Sequence, residues 1–118
     1  MKKPLKVPGL WIQDSYGAVK IDHGRIAYCR HSDGYTTIVF SDGQQRGVRV
    51  PLKRMEDKLP DMKFYRCHRN YLINLDYVRN FSGDKNNLIF PGRHAVPVSR
   101  RRREDLLMRV TGQTAAKG

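Results

Sequence analysis

The sequence predicts a single, mainly β domain with two short helices. The chain has 118 residues, which is enough for one ordinary domain and too few for two. Most of its middle consists of short segments rich in β-branched and aromatic residues, separated by turn residues. Only two stretches space their apolar residues as a helix does. With 39% hydrophobic residues the chain can bury a modest core.

The β segments are three to six residues long, as expected for strands in small sheets. Asp42-Gly43 lies between two of them and is a hairpin signal, because a primed turn needs positive φ and Gly adopts it at little cost. Asp33-Gly34, Gly83-Asp84 and Pro91-Gly92 are similar turn signals. The predicted strands are residues 10–13, 18–22, 25–30, 35–40, 46–50, 64–67, 71–73, 77–81, 88–90 and 95–98.

The first helix is predicted from Pro51 to Leu59. Leu52, Met55 and Leu59 fall on one face at helical spacing, and Pro51 is suited to a first helical turn. Pro60 then ends the segment because proline cannot continue a helix.

The second helix is predicted to begin near Ser99, a residue type that often caps helix N-termini. Leu106, Leu107 and Val110 form its apolar stripe. It should end before Gly112.

Both helices begin with cations, which opposes the helix macrodipole. A bound phosphate would reverse this effect, since Arg side chains and free N–H groups could then face the same anion. The alternative is that these are ordinary solvated charges, which is the usual case for an isolated Arg. Four consecutive Arg at a strand-to-helix junction favour phosphate contact. The cations are Lys53 and Arg54 in the first helix and Arg100, Arg101, Arg102 and Arg103 in the second.

The basic charge is concentrated in one region of the chain. The formal net charge is +12 with a pI near 10.2, so an anionic partner is expected. Residues 46–103 have a net charge of +10, and residues 1–45 only +2. We predict a basic linker or flexible arm over 1–9, the folded domain over 10–110, and a flexible tail over 111–118.

The composition excludes several classes of protein. Cys29 and Cys67 are 38 positions apart, with no second thiol near either, which predicts neither a disulfide framework nor a zinc site. A reducing compartment, the cytoplasm, fits this cysteine usage. The longest apolar runs are only a few residues, and no apolar stretch follows the basic start. We therefore expect no membrane span and no secretory signal.

The sequence gives little support for catalysis. Metal-dependent hydrolases need converging carboxylates or histidines, whereas the acids here are scattered and Glu56-Asp57 lies on a predicted helix surface. The four histidines have no metal-binding spacing, and neither Ser99 nor Cys67 lies in a nucleophile motif. We expect no enzyme activity, no cofactor and no metal.

The most informative segment is residues 64–75, which has the pattern F-x-R-x-H-R-x-Y-x-I-N-L. Its surroundings add Ile26-Ala27-Tyr28, Tyr35 and Asp42-Gly43 upstream, then Leu52-Lys53 and Leu59-Pro60, then Val96-Pro97-Val98-Ser99-Arg100 downstream. In order and spacing these features resemble the LytTR family of bacterial DNA-binding domains over roughly residues 18–108. Asn70 stands where the family commonly has Ser.

The resemblance implies an elongated fold of small stacked antiparallel sheets with two or three short helices, whose loops contact DNA. It implies sequence-specific binding of double-stranded DNA in transcription regulation, at promoter sites made of direct repeats. Family members are usually output domains of response regulators. The partners implied are promoter DNA, a second protomer on the adjacent half-site, and a receiver domain or regulatory protein outside this chain.

The resemblance also assigns roles to loop residues. Tyr35 and Arg100 align with contacts in successive major grooves, and Arg69 aligns with a contact in the minor groove between them. These residue types suit base edges, since Arg pairs with guanine and fits a narrow minor groove. Five further basic and polar residues, at helix starts and in loops, are expected to contact the DNA backbone. Such contacts position the protein without specifying sequence. The five residues are Lys53, Arg54, Asn70, Arg101 and Arg102.

Other interpretations stay open at this point. Tyr35 could instead pack on a sheet face, and His68 has a structural role as its main alternative to DNA contact. Asn74 is expected to bond backbone at a turn, rather than a base. The whole domain could be an RNA-binding module that stacks bases on its aromatic residues, or a regulatory domain that binds an acidic protein.

Overall fold

The computed structural model describes residues 9–14, 17–82, 86–90 and 94–112, and it contains ten strands and two α-helices in these ranges. The strands are β1 (Gly9–Asp14), β2 (Gly17–Asp22), β3 (Ile26–Ser32), β4 (Tyr35–Phe40), β5 (Gln45–Val48), β6 (Phe64–His68), β7 (Tyr71–Asn74), β8 (Asn80–Phe81), β9 (Asn87–Phe90) and β10 (His94–Pro97). The helices are α1 (Leu52–Lys58) and α2 (Arg103–Thr111), and three 3-10 turns cover His23–Arg25, Leu75–Tyr77 and Arg100–Arg102.

The strands form three antiparallel sheets. A central sheet has the strand order β5-β4-β3-β7-β6, and the flanking sheets are the hairpin β1-β2 and the three-stranded sheet β10-β9-β8. The body measures 49 × 43 × 24 Å, about twice as long as it is thick. The prediction of a mainly β fold with small stacked antiparallel sheets is confirmed.

The central sheet is buried on both faces. Neighbouring residues on a strand point to opposite faces, so each apolar pair supplies one side chain to each core. Ile38-Val39, Phe64-Tyr65 and Leu72-Ile73 divide in this way. The first core lies under β1, β2 and α1, and the second lies under β9, β10 and α2. The sheet is therefore the middle layer of three.

The turn signals agree with the structure where it describes them. The Asp42-Gly43 turn connects β4 to β5, with Gly43 at φ 92° and its N–H donating to the Phe40 carbonyl at 2.9 Å. Asp33 and Gly34 both have positive φ between β3 and β4. The signals at 83–84 and 91–92 lie outside the described residues.

Several predicted boundaries were wrong by a few residues. Predicted strand 25–30 begins only at Ile26, since Arg25 ends a 3-10 turn. Predicted strand 77–81 is reduced to Asn80–Phe81, because Leu75–Tyr77 is another 3-10 turn. Local hydrogen bonds by Asp22 and Asn74 side chains stabilise these turns, and such bonds compete with strand pairing.

The first helix follows its prediction, with Pro51 at the N-cap and Leu52 and Met55 buried. The second differs. Ser99 caps no helix with its side chain, and the three Arg that follow form a 3-10 turn before α2 begins at Arg103. Of the predicted stripe only Leu106 is buried, and the helix ends at Thr111, followed by Gly112 as its C-cap in the left-handed conformation.

The predicted arm and tail fall largely outside the described residues. Gly9 is the first residue of β1 and Thr111 the last of α2, while residues 1–8 and 113–118 are not among those described. Among the described helices, none is long and apolar enough to cross a membrane.

Asn74 connects two distant parts of the central sheet. Its side chain is 1% exposed; the amide donates to the Ile26 carbonyl at 2.9 Å and its oxygen accepts from the Asp76 N–H. The expectation that Asn74 bonds backbone at a turn is confirmed.

Asn74→Ala should therefore destabilise the fold. It leaves the buried Ile26 carbonyl without its donor, and a lost partner of this kind costs about 1–3 kcal/mol. Urea denaturation should show this loss as a lower midpoint. Asn80→Ala, at an exposed strand position, is the matched control and should change the free energy of unfolding by less than about 0.5 kcal/mol. Equal effects from both variants would contradict this prediction.

Candidate nucleic-acid interface

One end of the central sheet brings together the loops that were predicted to bind DNA. β3 ends at Ser32 and β4 begins at Tyr35, and the turn from β6 to β7 lies beside them because Arg30 pairs with Tyr71. The His31 N–H donates to the Asn70 carbonyl at 2.8 Å, which joins the two turns directly. We call this end the loop edge.

A basic groove of about 560 Å³ opens beside the loop edge. Four parts of the chain meet there: α1, β6, the β6–β7 turn and the segment that leads into α2. Five cationic side chains and one carboxylate line this first groove. Its lining residues are Lys53, Glu56, Arg66, His68, Arg69, Ser99, Arg101 and Arg102.

Arg66 fixes the β6–β7 turn within this groove. Its Nε donates to the His68 carbonyl at 3.2 Å, and its Nη2 donates to the Arg69 carbonyl. Its Nη1 pairs with Glu56 Oε1 at 3.1 Å. The Arg66 side chain is only 21% exposed, so these partners use most of its donors. The main chain of Arg69 is therefore held in place while its own side chain stays exposed.

His68 also stabilises this turn. Its Nδ1 accepts a hydrogen bond from the Asn70 N–H at 3.1 Å, and its ring packs edge-on against Tyr71 at 5.6 Å. Desolvation by burial lowers the pKa of His68, and the charges of Arg69 and Arg66 lower it further. Acceptance at Nδ1 requires the neutral ring, so the lowered pKa and the hydrogen bond agree. The contacts favour the structural interpretation of His68.

The Arg100–Arg102 turn is placed against the end of β6. The Ser99 N–H donates to the Cys67 carbonyl at 2.9 Å and attaches the turn to that strand. All three Arg are exposed, and Arg101 and Arg102 line the first groove. The Arg102 guanidinium also lies 6.0 Å from the Tyr65 ring centre. Arg103, by contrast, bonds the Asn86 side chain.

Tyr35 is at the loop edge but outside the first groove. It is 43% exposed, its hydroxyl accepts from Arg49 Nη2 at 2.9 Å, and the same guanidinium lies 5.3 Å from its ring centre. Tyr35 is thus not packed into either core. Arg49 restricts its orientation.

The structure brings four of the eight predicted DNA contacts into one groove, namely Lys53, Arg69, Arg101 and Arg102. Asn70 and Arg100 are the chain neighbours of groove residues. Tyr35 and Arg54 lie elsewhere, and Arg54 lines a separate groove on the other side of α1.

Sequence reasoning missed residues that organise the site. Arg66 stands inside the motif at residues 64–75, which was a usable signal, but its partners could not be known from sequence. Glu56 was interpreted as a helix surface residue and instead pairs with Arg66. No sequence pattern indicated a role for Arg49, because its role comes from its contact with Tyr35 in the folded chain.

The thiols lie in the cores. Burial raises the pKa of Cys29 to about 12 and that of Cys67 to about 12, so both are neutral at physiological pH. A neutral thiol is a poor nucleophile. Within the described ranges, no three His, Cys, Asp or Glu side chains cluster as a metal site would require.

Comparison with known proteins decides the family. The family model of the LytTr DNA-binding domain matches residues 16–111 of this chain. The chain belongs to the LytTR family. The match includes the loop edge, the first groove and both α-helices, and it assigns the domain to DNA binding in transcription regulation.

Relatives and a solved structure agree with this assignment. The sensory transduction protein LytT of Oceanobacillus iheyensis is 30% identical over 105 residues, covering 85% of this chain and 42% of that protein. LytT of Bacillus subtilis is 33% identical over 85 residues, covering 70% of this chain and 35% of that protein. The chain thus spans less than half the length of these relatives.

A LytTr DNA-binding domain from Bacillus cereus has the same fold. It superposes with a TM-score of 0.70 at 18% identity, covering 90% of this chain and 98% of the other. At this identity the likeness concerns the fold alone.

Replacing Arg66 by Lys should loosen the LytTR domain at the β6–β7 turn. An ammonium group lacks the planar fork that contacts three acceptors at once. We expect a loss of about 1–3 kcal/mol in the free energy of unfolding. Hydrogen exchange at the Asn70 amide should become faster than in the parent domain. An unchanged exchange rate at Asn70 would show that Arg66 does not order the turn.

His68 should make stability depend on pH. Because its pKa is lowered in the folded state, the unfolded chain binds a proton first as pH falls below about 6.5, and stability decreases there. His23 has a lowered pKa and acts in the same direction. Urea denaturation at about pH 7.5 and at about pH 5.5 should show that the free energy of unfolding decreases less between these two pH values for His68→Gln than for the parent domain. Identical losses would rule out a contribution from His68.

Proposed function

We propose that this LytTR domain binds double-stranded DNA sequence-specifically and regulates transcription in the bacterial cytoplasm without catalysing a reaction. The observation that carries the proposal is the first groove, where four exposed cations from α1, the β6–β7 turn and the segment before α2 meet, while its one carboxylate, Glu56, is paired with the largely buried Arg66. Such a concentration of exposed cations suits phosphate, since each neutralised phosphate releases counterions.

The groove residues are proposed as contacts to the DNA backbone. Lys53, Arg101 and Arg102 are exposed. Lys53 lies on α1, which packs on the first core, and the turn with Arg101 and Arg102 lies between Val98 and Leu106 of the second core. Asn70 lies in the β6–β7 turn, next to Arg69, and is proposed as a further contact to the DNA backbone. Contacts of this kind set the position and register of a protein on the duplex.

The base contacts are proposed at the loop edge. Arg69 is assigned to the minor groove on the resemblance to the LytTR family, and in support its exposed side chain extends from a turn whose main chain is fixed by Arg66 and His68. Arg100 and Tyr35 are assigned to the flanking major grooves. Arg49 supports Tyr35 by limiting its rotation before DNA binds.

The proposed assembly has two protomers on a direct repeat. Its second part is a receiver domain or regulatory protein outside this chain. The curated relatives support the second part, since they are named sensory transduction proteins and are more than twice as long as the region matched.

Selection of bound duplexes from a random DNA library tests the proposal. At about 150 mM salt the Debye length is ~8 Å, so nonspecific charge attraction is damped. Enrichment of a repeated motif is expected. Retention of single-stranded RNA instead would favour the RNA-binding alternative, and retention of neither nucleic acid would favour an acidic protein partner.

Arg100→Ala should weaken binding to the selected site by about 1–3 kcal/mol and binding to random duplex very little. Arg101→Ala removes the neighbouring cation and is the matched control; it should weaken both complexes equally and reduce the salt slope by about 0.9. Fluorescence anisotropy on labelled duplexes measures both effects. Equal losses on both duplexes for Arg100→Ala would make Arg100 a backbone contact.

A further inference from the structure

A second basic groove lies on the other side of α1 from the first. It has a volume of about 590 Å³. Val50 and Pro51 supply apolar surface, Trp11 also lines the groove, and its cations are Arg49, Arg54 and Lys58. We call it the Trp11 groove. Of the eight residues predicted to contact DNA, only Arg54 lines this groove.

Trp11 is exposed because of its place on β1. Leu10 and Ile12 point into the first core and are 2% and 1% exposed, so the alternating side chain between them must point outward. Trp11 is 59% exposed, the largest aromatic side chain of the protein in contact with solvent. Lys20, its partner across the β1–β2 hairpin, is another exposed cation on this face.

The cations of the Trp11 groove are not neutralised by acidic side chains. None of the residues that line it is acidic. Within the part of the chain that the structure describes, neither Arg54 nor Lys58 forms an ion pair, whereas Lys53 on the same helix lies 4.0 Å from Asp57. Like charges gathered without counter-charges favour an anionic partner.

The Trp11 groove is continuous with the loop edge. Arg49 lines the groove and bonds the Tyr35 hydroxyl, which belongs to the proposed DNA-reading surface. The two grooves also share α1, since Lys53 lines the first and Arg54 the second. A duplex that contacts Tyr35 is therefore within reach of Arg49, which also lines the Trp11 groove.

We propose that the Trp11 groove binds the sugar-phosphate backbone of duplex DNA that flanks the sequence read at the loop edge. This inference rests on the proposed function and extends it. The groove enlarges the contact with DNA beyond the recognition site and contributes affinity without sequence preference.

The chemistry of the groove fits a sugar-phosphate backbone. Phosphates are neutralised by the Arg and Lys side chains, and backbone and sugar receive half or more of the hydrogen bonds in protein–DNA complexes. The indole has an apolar face for a deoxyribose and an N–H that can donate to a phosphate oxygen.

Trp11 gives a direct measurement, since it is the only tryptophan in the chain. The duplex obtained by selection is prepared in a short form, limited to the recognition site, and in a form extended by ~5 base pairs on each side, about 17 Å at 3.4 Å per base pair. Anisotropy measures binding independently of Trp11. We expect the extended duplex to quench Trp11 emission and protect it from iodide, with the same midpoint as anisotropy, and the short duplex to do neither.

Charge variants test the same groove by affinity. Arg54→Ala and Lys58→Ala should each weaken binding to the extended duplex by roughly threefold to tenfold and reduce its salt slope by about 0.9. Lys58→Ala should leave binding to the short duplex unchanged, and Arg54→Ala should weaken the extended complex more than the short one. Arg79→Ala removes an exposed cation that lines neither groove and is the matched control, expected to leave both affinities unchanged.

The outcomes separate this inference from the proposed function. Tight binding of both duplexes with no change in Trp11 emission or iodide access would overturn the inference and leave the proposed function standing. A response of Trp11 to single-stranded RNA but not to the extended duplex would also overturn it. If anisotropy detects no binding of either duplex, the proposed function itself fails.

Discussion

The burial of both faces of the central sheet is the constraint on which the rest of the molecule depends. Because each strand supplies side chains to two cores, few positions inside β3, β4, β6 or β7 remain for polar chemistry. Exposed cations can stand only where the strands end or on the elements that cover the faces. The loop edge and both grooves follow from this arrangement, since they are built from turns, from the end of β6, from the covering elements β1 and α1, and from the residues before α2.

The same arrangement gathers like charges at short range. Cations that line one groove repel each other, although exposure to water and salt reduces the cost. Arg66 differs from the neighbouring cations, because it is largely buried and paired with Glu56 and with main-chain carbonyls. One cation therefore organises the turn, while the others remain available to a partner. Bound phosphates would relieve the repulsion that the free domain carries.

Much of the architecture could be predicted from sequence because strands of period two and glycine turns are local properties. The strands, the hairpin at Asp42-Gly43 and α1 follow from such signals. The tertiary contacts between side chains could not be predicted from sequence. Nothing local shows that Arg66 reaches two carbonyls across a turn, or that Arg49 lies over Tyr35. The eight predicted contacts could be named from the sequence, but the separation of Lys53 and Arg54 into two grooves depends on which side of α1 each one faces.

The hydrogen bond from Asn74 to Ile26 joins residues 48 positions apart, and it lies where β7 pairs with β3. The β3-β4-β5 meander and the β6-β7 hairpin are each local in sequence, so each can form early at small loss of chain entropy. Their union in one sheet is the nonlocal step and should set the speed of folding. Until it occurs, two apolar faces stay open to water. A ribosome must therefore release the chain past β7 before this domain can protect itself from aggregation.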